Sequence, residues 1–168
     1  MKRIRIEKVT LNIGSGADQA KLEKSIQLLK NITSLNPVKT FTKKRIPEWG
    51  IRPGLPIGCK LTLRKESARE ILVRLLAAVD NSLKTMQFDE QGNIAFGIPE
   101  YIDIPNVKYD PKIGIIGLQV CVTLERPGYR IKRRRVASRR LSHKHIIKRE
   151  EAIDFMKNNF NVKIVEEE

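Results

Sequence analysis

Cysteine is nearly absent from this chain: Cys59 and Cys121 are the only two in 168 residues. Two are far too few for a disulfide scaffold. His143 and His145 are the only histidines, and beside two isolated cysteines they do not make the paired spacing of a zinc site, so no metal is expected. Aromatic residues are also scarce, with five Phe, three Tyr and one Trp. No apolar run approaches the roughly 18–20 residues of a membrane span. The first residues lack the roughly 7–15-residue apolar core of a secretion signal. The expectation is an intracellular, cytoplasmic chain that meets no membrane. Its length of 168 residues suits one domain, 1–168, with enough chain to bury a core.

Acid is missing where base is densest. The formal net charge is +14, which makes nucleic acid the default partner. Residues 126–149 hold eleven Lys and Arg and no Asp or Glu. Residues 1–8 carry a net +3 and residues 37–65 a net +7, whereas the rest of the chain is net −7. A surface charged only for solubility would intersperse its signs. The three basic segments therefore point to binding.

Lys43 to Arg64 divides into two parts with different physics. Pro47, Pro53, Pro56, Gly50 and Gly54 rule out a helix or a central strand over its first part, which reads as a long loop. Lys43, Lys44, Arg45 and Arg52 make that loop basic, and Trp49 stands near its middle. Trp49 either rigidifies the loop as a small local core or meets a partner. From Ile57 the pattern alternates: Ile57, Cys59, Leu61 and Leu63 point one way, Gly58, Lys60, Thr62 and Arg64 the other. That is a strand with one buried and one basic face.

The same alternation over Val9, Leu11 and Ile13 predicts a first strand. Ile4 and Ile6 keep the opposite phase, so a bulge is expected near Glu7 and Lys8. Leu22, Ile26, Leu29 and Ile32 predict a helix over 19–33, and Val38 to Thr42 a short strand. Ser67 and Glu70 in capping-box spacing, followed by Leu72, Leu75, Leu76, Val79, Leu83 and Met86, predict a helix of about 20 residues. Strands are expected at Ile94–Ile98 and Gly117–Leu124, and a short amphipathic helix at 150–160. The sum is an α+β fold, mainly antiparallel, with helices packed on one face and the other face open. Thr10, Asn12, Lys60, Thr62 and Arg64 share that open face. Short polar side chains beside Lys and Arg suit phosphates and 2′-hydroxyls. No aromatic residue falls on the face, so backbone and shape recognition of folded RNA is expected rather than base stacking.

Other chemistries find little support. Glu100, Asp103 and Asp110 lie scattered among prolines, as turn formers do. Gly14-Ser15-Gly16 lacks the Gly-Lys-Ser/Thr of a phosphate loop. An RNA-modifying enzyme needs a nucleophile–base pair or a metal cluster, and neither is visible, so no catalytic residue, cofactor or small-molecule substrate is expected. A DNA reader needs a recognition helix, whereas the predicted helices carry core stripes. Residues 126–149 read either as a solvated tail or as a segment that orders on RNA. Pro127-Gly128-Tyr129 and the apolar Ile131, Val136, Leu141, Ile146 and Ile147 favour the second.

Several motifs in order resemble a known family. Lys8-Val9-Thr10-Leu11-Asn12-Ile13-Gly14 and Pro56-Ile57-Gly58-Cys59-Lys60-Leu61-Thr62-Leu63-Arg64 resemble signature segments of the universal large-subunit ribosomal protein five, the 5S rRNA-binding protein. Phe88 to Asn93, Phe96 to Glu100 and Val120 to Tyr129 resemble its later landmarks. The Arg-rich run and the start at Met1-Lys2, without a eukaryote-style extension, resemble its archaeal branch. The resemblance implies a ribosomal location in the central protuberance, with neighbouring ribosomal proteins as partners. It implies 5S rRNA contact at Asn12, Thr62 and Arg64, to which the open-face reading adds Thr10 and Lys60. It implies a loop, here Lys43, Lys44, Arg45, Trp49 and Arg52, that reaches peptidyl-site tRNA. Arg130, Lys132, Arg133, Arg134, Arg135, Arg139 and Arg140 are expected to anchor neighbouring large-subunit rRNA. One departure stands out: Ser34-Leu35-Asn36 replaces the family's Gly-Gln-Lys before Pro37, so the contact of that glutamine is missing.

Overall fold

The computed structural model describes residues 1–165. Its main sheet has five strands: β1 (Arg5–Gly14), β2 (Val38–Phe41), β3 (Pro56–Leu63), β5 (Asn93–Ile98) and β6 (Leu118–Glu125). Their order is β2-β3-β1-β6-β5, and every pairing is antiparallel. Residues at alternating positions are buried: Val9, Leu11 and Ile13, then Cys59, Leu61 and Leu63, then Leu118, Val120, Val122 and Leu124, then Ile94, Phe96 and Ile98. Helices α1 (Gln19–Thr33) and α2 (Lys65–Ala77) pack on the β1 and β3 region of that face. A fully buried side chain of this size contributes roughly 1.5–3 kcal/mol, so this single-sided burial is what sets the strand register. The fold is α+β.

The phase change in the first strand is a real bulge. Ile6 pairs with Leu124 and Lys8 with Thr123, leaving Glu7 as the extra residue. Helix α1 spans the expected 19–33, with the Asp18 carboxylate accepting from the Ala20 and Lys21 amides. It ends at Ser34, whose φ of 58° is the left-handed conformation that a glycine adopts at less cost. Gly58 has a steric reason to lack a side chain. A Cβ there would lie 2.6 Å from the Ile13 carbonyl oxygen, so β1 and β3 could not approach.

Two expectations fail in the middle of the chain. Helix α2 has 13 residues, not about 20, and starts at Lys65 after Arg64, so Ser67 and Glu70 form no capping box. Asp80 and Asn81 turn the chain out of the helix at positive φ (55° and 52°), a conformation that short polar side chains tolerate. Leu83 is instead the buried centre of β4 (Ser82–Lys84), and Met86 is 76% exposed in a 3₁₀ turn. The helical period therefore ran past the true end by coincidence of spacing. The second correction is a missed strand. β7 (Lys163–Val165) pairs in parallel with β4, following α4 (Arg149–Phe160). Helix α4 inserts Ala152 and Met156 into the core, while Ile153 and Phe160 are half-buried.

Candidate nucleic-acid interface

The open face of the sheet is built from the residues that alternate with the core. Lys60, Asn12, Gln119 and Gly97 lie in one cross-strand row, and Thr62, Thr10, Cys121 and Ala95 in the next. Lys8 pairs with Thr123, and Thr123 with Asn93. Lys60 and Thr62 are exposed, while Thr10 and Asn12 are half-buried. The structure thus brings together four of the five expected open-face residues, on a surface of short polar and small side chains. Nothing on these rows is aromatic. At the sheet margin, Phe41 pairs with Pro56 and is exposed.

Arg64, the fifth, stands at one end of this face and leads to a cluster that the sequence did not disclose. Its Nη1 lies 3.4 Å from the carboxylate of Glu7, the bulge residue. Arg133 donates to that same carboxylate and, through its other Nη, to Glu125 Oε2 at 2.6 Å. Arg5, paired across the strands with Glu125, reaches Oε1 from Nε at 2.8 Å and from Nη2 at 2.7 Å. Both carboxylates are only 8% exposed, whereas the three arginine side chains are 40–61% exposed. Arg133 belongs to α3 (Arg130–Arg133), the first turn of the Arg-rich segment. The sheet face and that segment, read from the sequence as separate sites, therefore form one continuous basic surface.

The Arg-rich segment is held against the protein at its two ends, while residues 130–140 between them are exposed. Tyr129 is buried, its hydroxyl donating to the His145 carbonyl (3.2 Å) and accepting from the Ile147 amide (3.0 Å). The His145 ring packs edge-on against Tyr129, and its Nε2 donates to the Pro127 carbonyl at 2.9 Å. Arg126 is 5% exposed, donating to Glu151 Oε1 at 2.6 Å. Glu151 accepts the Lys148 amide, and that bond, with Arg126, holds its carboxyl below the usual range despite partial desolvation. Arg149 donates to the Phe88 carbonyl at 2.9 Å. Part of the +11 of this segment is thus structural. Lys132 lies over the Tyr129 ring at 5.2 Å, and Arg134 donates to the Ala137 carbonyl at 2.8 Å. Arg130, Arg135, Arg139 and Arg140 are exposed and form no ion pair with another described residue.

The basic loop leaves the sheet at its opposite end. Eight residues of β3 separate it from Arg64, roughly 24 Å of extended strand. It is an ordered arm rather than a slack connection. Amide–carbonyl bonds join Thr42 to Leu55 and, in both directions, Ile46 to Ile51, each at 3.0 Å. Pro47–Trp49 form a 3₁₀ turn closed by Gly50. Lys43, Lys44, Arg45 and Arg52 are exposed. Trp49 is 68% exposed while Ile51 is buried, so the tryptophan is not the loop's local core.

The two thiols stand on opposite faces of the sheet. Burial pushes the Cys59 thiol up to about 11, whereas Cys121 is half-buried on the open face between Thr10 and Ala95. A thiol reagent at pH 8 will therefore label Cys121 alone in the native protein and both cysteines after unfolding. Mass spectrometry of labelled peptides checks this. Among the described residues no group of three or more His, Cys, Asp and Glu could hold a metal, and no helix is long and apolar enough to cross a membrane.

Comparison with known proteins gives the family of the chain. Residues 1–52 match the family model described as ribosomal protein L5, and residues 56–155 match the model of the C-terminus of the same ribosomal family. A protein of Nanoarchaeum equitans named large ribosomal subunit protein uL5 is 52% identical over 166 residues, covering 98% of this chain and 98% of that one. Proteins of the same name from Sulfurisphaera tokodaii and Methanobrevibacter smithii are 48% and 47% identical, each covering 99% of this chain and, respectively, 94% and 98% of their own length. With two models that together account for residues 1–155 apart from a three-residue gap, and relatives matched over nearly their full length, the chain belongs to the ribosomal protein L5 family.

Proposed function

We propose that this protein is a non-catalytic constituent of the large ribosomal subunit in the cytoplasm, folded as one RNA-binding unit that clamps 5S rRNA. The observation that carries the reading is the open sheet face: Lys60, Thr62, Thr10 and Asn12 in register, free of aromatics, running into the exposed arginines at Arg64. That surface meets a sugar–phosphate backbone rather than unstacked bases. The exposed Arg130, Arg135, Arg139 and Arg140, with Lys132, Arg133 and Arg134, extend it toward neighbouring large-subunit rRNA. The arm carrying Lys43, Lys44, Arg45, Trp49 and Arg52 projects from the far end and reaches peptidyl-site tRNA. Neighbouring ribosomal proteins complete its surroundings. Leu35, 48% exposed, stands where the family places a glutamine, so that RNA contact is not made by this side chain.

The division of labour has a direct test. Arg64→Ala will weaken binding of folded 5S rRNA, while Arg52→Ala will leave it unchanged and reduce tRNA engagement by subunits carrying the variant. Equal loss of 5S affinity in both variants would sink the division. Bound 5S rRNA will also slow the labelling of Cys121, which lies between Thr10 and Ala95 on the face.

A further inference from the structure

Two buried acids at an RNA-facing surface need an explanation. Glu7 is the only acid among residues 1–8, and Glu125 directly precedes a segment of eleven bases and no acid. If the arginines here acted by charge alone, two carboxylates beside them would only weaken the attraction for phosphate, since they offset two of the three positive charges of Arg5, Arg64 and Arg133.

We propose that Glu7 and Glu125 are positioning residues of the RNA interface, whose buried carboxylates fix the guanidinium groups of Arg5, Arg64 and Arg133 as one preorganised rank for phosphate oxygens. The proposal rests on the RNA-binding reading above. Each guanidinium has five donors in a rigid fork. Arg133 spends one Nη on each acid, and Arg5 grips Glu125 Oε1 through Nε and Nη2. The rest of each fork remains on the exposed side, because the carboxylates lie beneath at 8% exposure while the arginines are 40–61% exposed. The rank also draws on four separate pieces of chain: the start of β1, the end of β6, the start of α2, and α3. The bulge supplies the geometry. As the residue inserted between the Ile6 and Lys8 pairings, Glu7 is aimed out of the regular alternation and shared by Arg64 and Arg133. A flexible arginine must lose its rotamer freedom on meeting RNA, whereas these three have lost it beforehand.

The sign of one substitution separates positioning from charge. Glu125→Gln keeps shape but removes a negative charge, as does Glu23→Gln on the exposed side of α1, away from the sheet's open face. Charge alone predicts equal or tighter binding of 5S rRNA for both. Positioning predicts that Glu125→Gln, and likewise Glu7→Gln, weakens binding by about tenfold while Glu23→Gln does not. In an Arg5→Ala, Arg133→Ala background, Glu125→Gln will add much less to the loss, because both arginines that it positions are gone. Protection of Cys59 from a thiol reagent reports that each variant is folded. Unchanged or tighter binding by Glu125→Gln overturns the proposal, and so does an equal loss with or without Arg5 and Arg133. Lys60→Ala, on the open face and outside the cluster, keeps the underlying reading separate. If it weakens binding and Glu125→Gln does not, only the positioning role fails. If neither variant matters, the 5S reading of the open face fails with it.

Discussion

Lys60→Glu will lower the affinity for folded 5S rRNA by tenfold or more, with no change in the fold. Lys60 is exposed in the middle of β3, opposite Asn12 and beside the edge strand, so its ammonium has no structural task that the change would disturb. A lysine that neutralises one phosphate contributes about one unit to the slope of log affinity against log salt, and its loss should flatten that slope by about one. Reversal adds repulsion to that loss, which is the basis for an expected effect on the order of tenfold or more. A filter-binding titration at several salt concentrations measures both quantities. An affinity and slope equal to the wild type's would remove the central row of the open face from the interface.

Tyr129→Ala will be the most destabilising change outside the sheet core. The ring is buried, and the hydroxyl joins the His145 carbonyl to the Ile147 amide, tying the far end of the Arg-rich segment to its start. Truncating a buried aromatic side chain costs about 3–5 kcal/mol. For a domain of this size that corresponds to a melting temperature lower by roughly 6–20 °C. Tyr129→Phe keeps the ring but strands a buried amide, for a cost of about 1–3 kcal/mol. Thermal unfolding should rank the proteins wild type, Phe, Ala. Trypsin should cut residues 130–149 of the alanine variant first, because that variant has lost the anchor while retaining the sheet.

Much of this architecture could be read from the residues because one-sided burial writes itself as alternation. Val9-Leu11-Ile13 and Cys59-Leu61-Leu63 keep a period of two, and the shift of phase at Ile4 and Ile6 marked the bulge at Glu7. Helix α2 was overread for the opposite reason. Leu83 and Met86 happened to continue a helical spacing that Asp80 and Asn81 interrupt, and neither residue type forbids a helix. Strand β7 has three residues and exists only through its pairing with β4, some eighty positions earlier, which no local pattern encodes. The open-face residues followed from the same alternation as the core. The carboxylates that organise the arginines did not, since a lone Glu among bases looks like any surface acid until the bulge and the β1–β6 register bring Glu7 and Glu125 together. Their one visible signal was position: a single acid inside, or directly before, a run of bases.

The most direct test of the account is binding of the pure protein to folded 5S rRNA, beside tRNA and a size-matched RNA duplex, across a salt series. Shape-specific recognition by the sheet face predicts that 5S binding persists at salt concentrations where the duplex has been released. Equal affinities with equally steep salt dependence for all three RNAs would contradict it, leaving a basic surface without the recognition assigned to it.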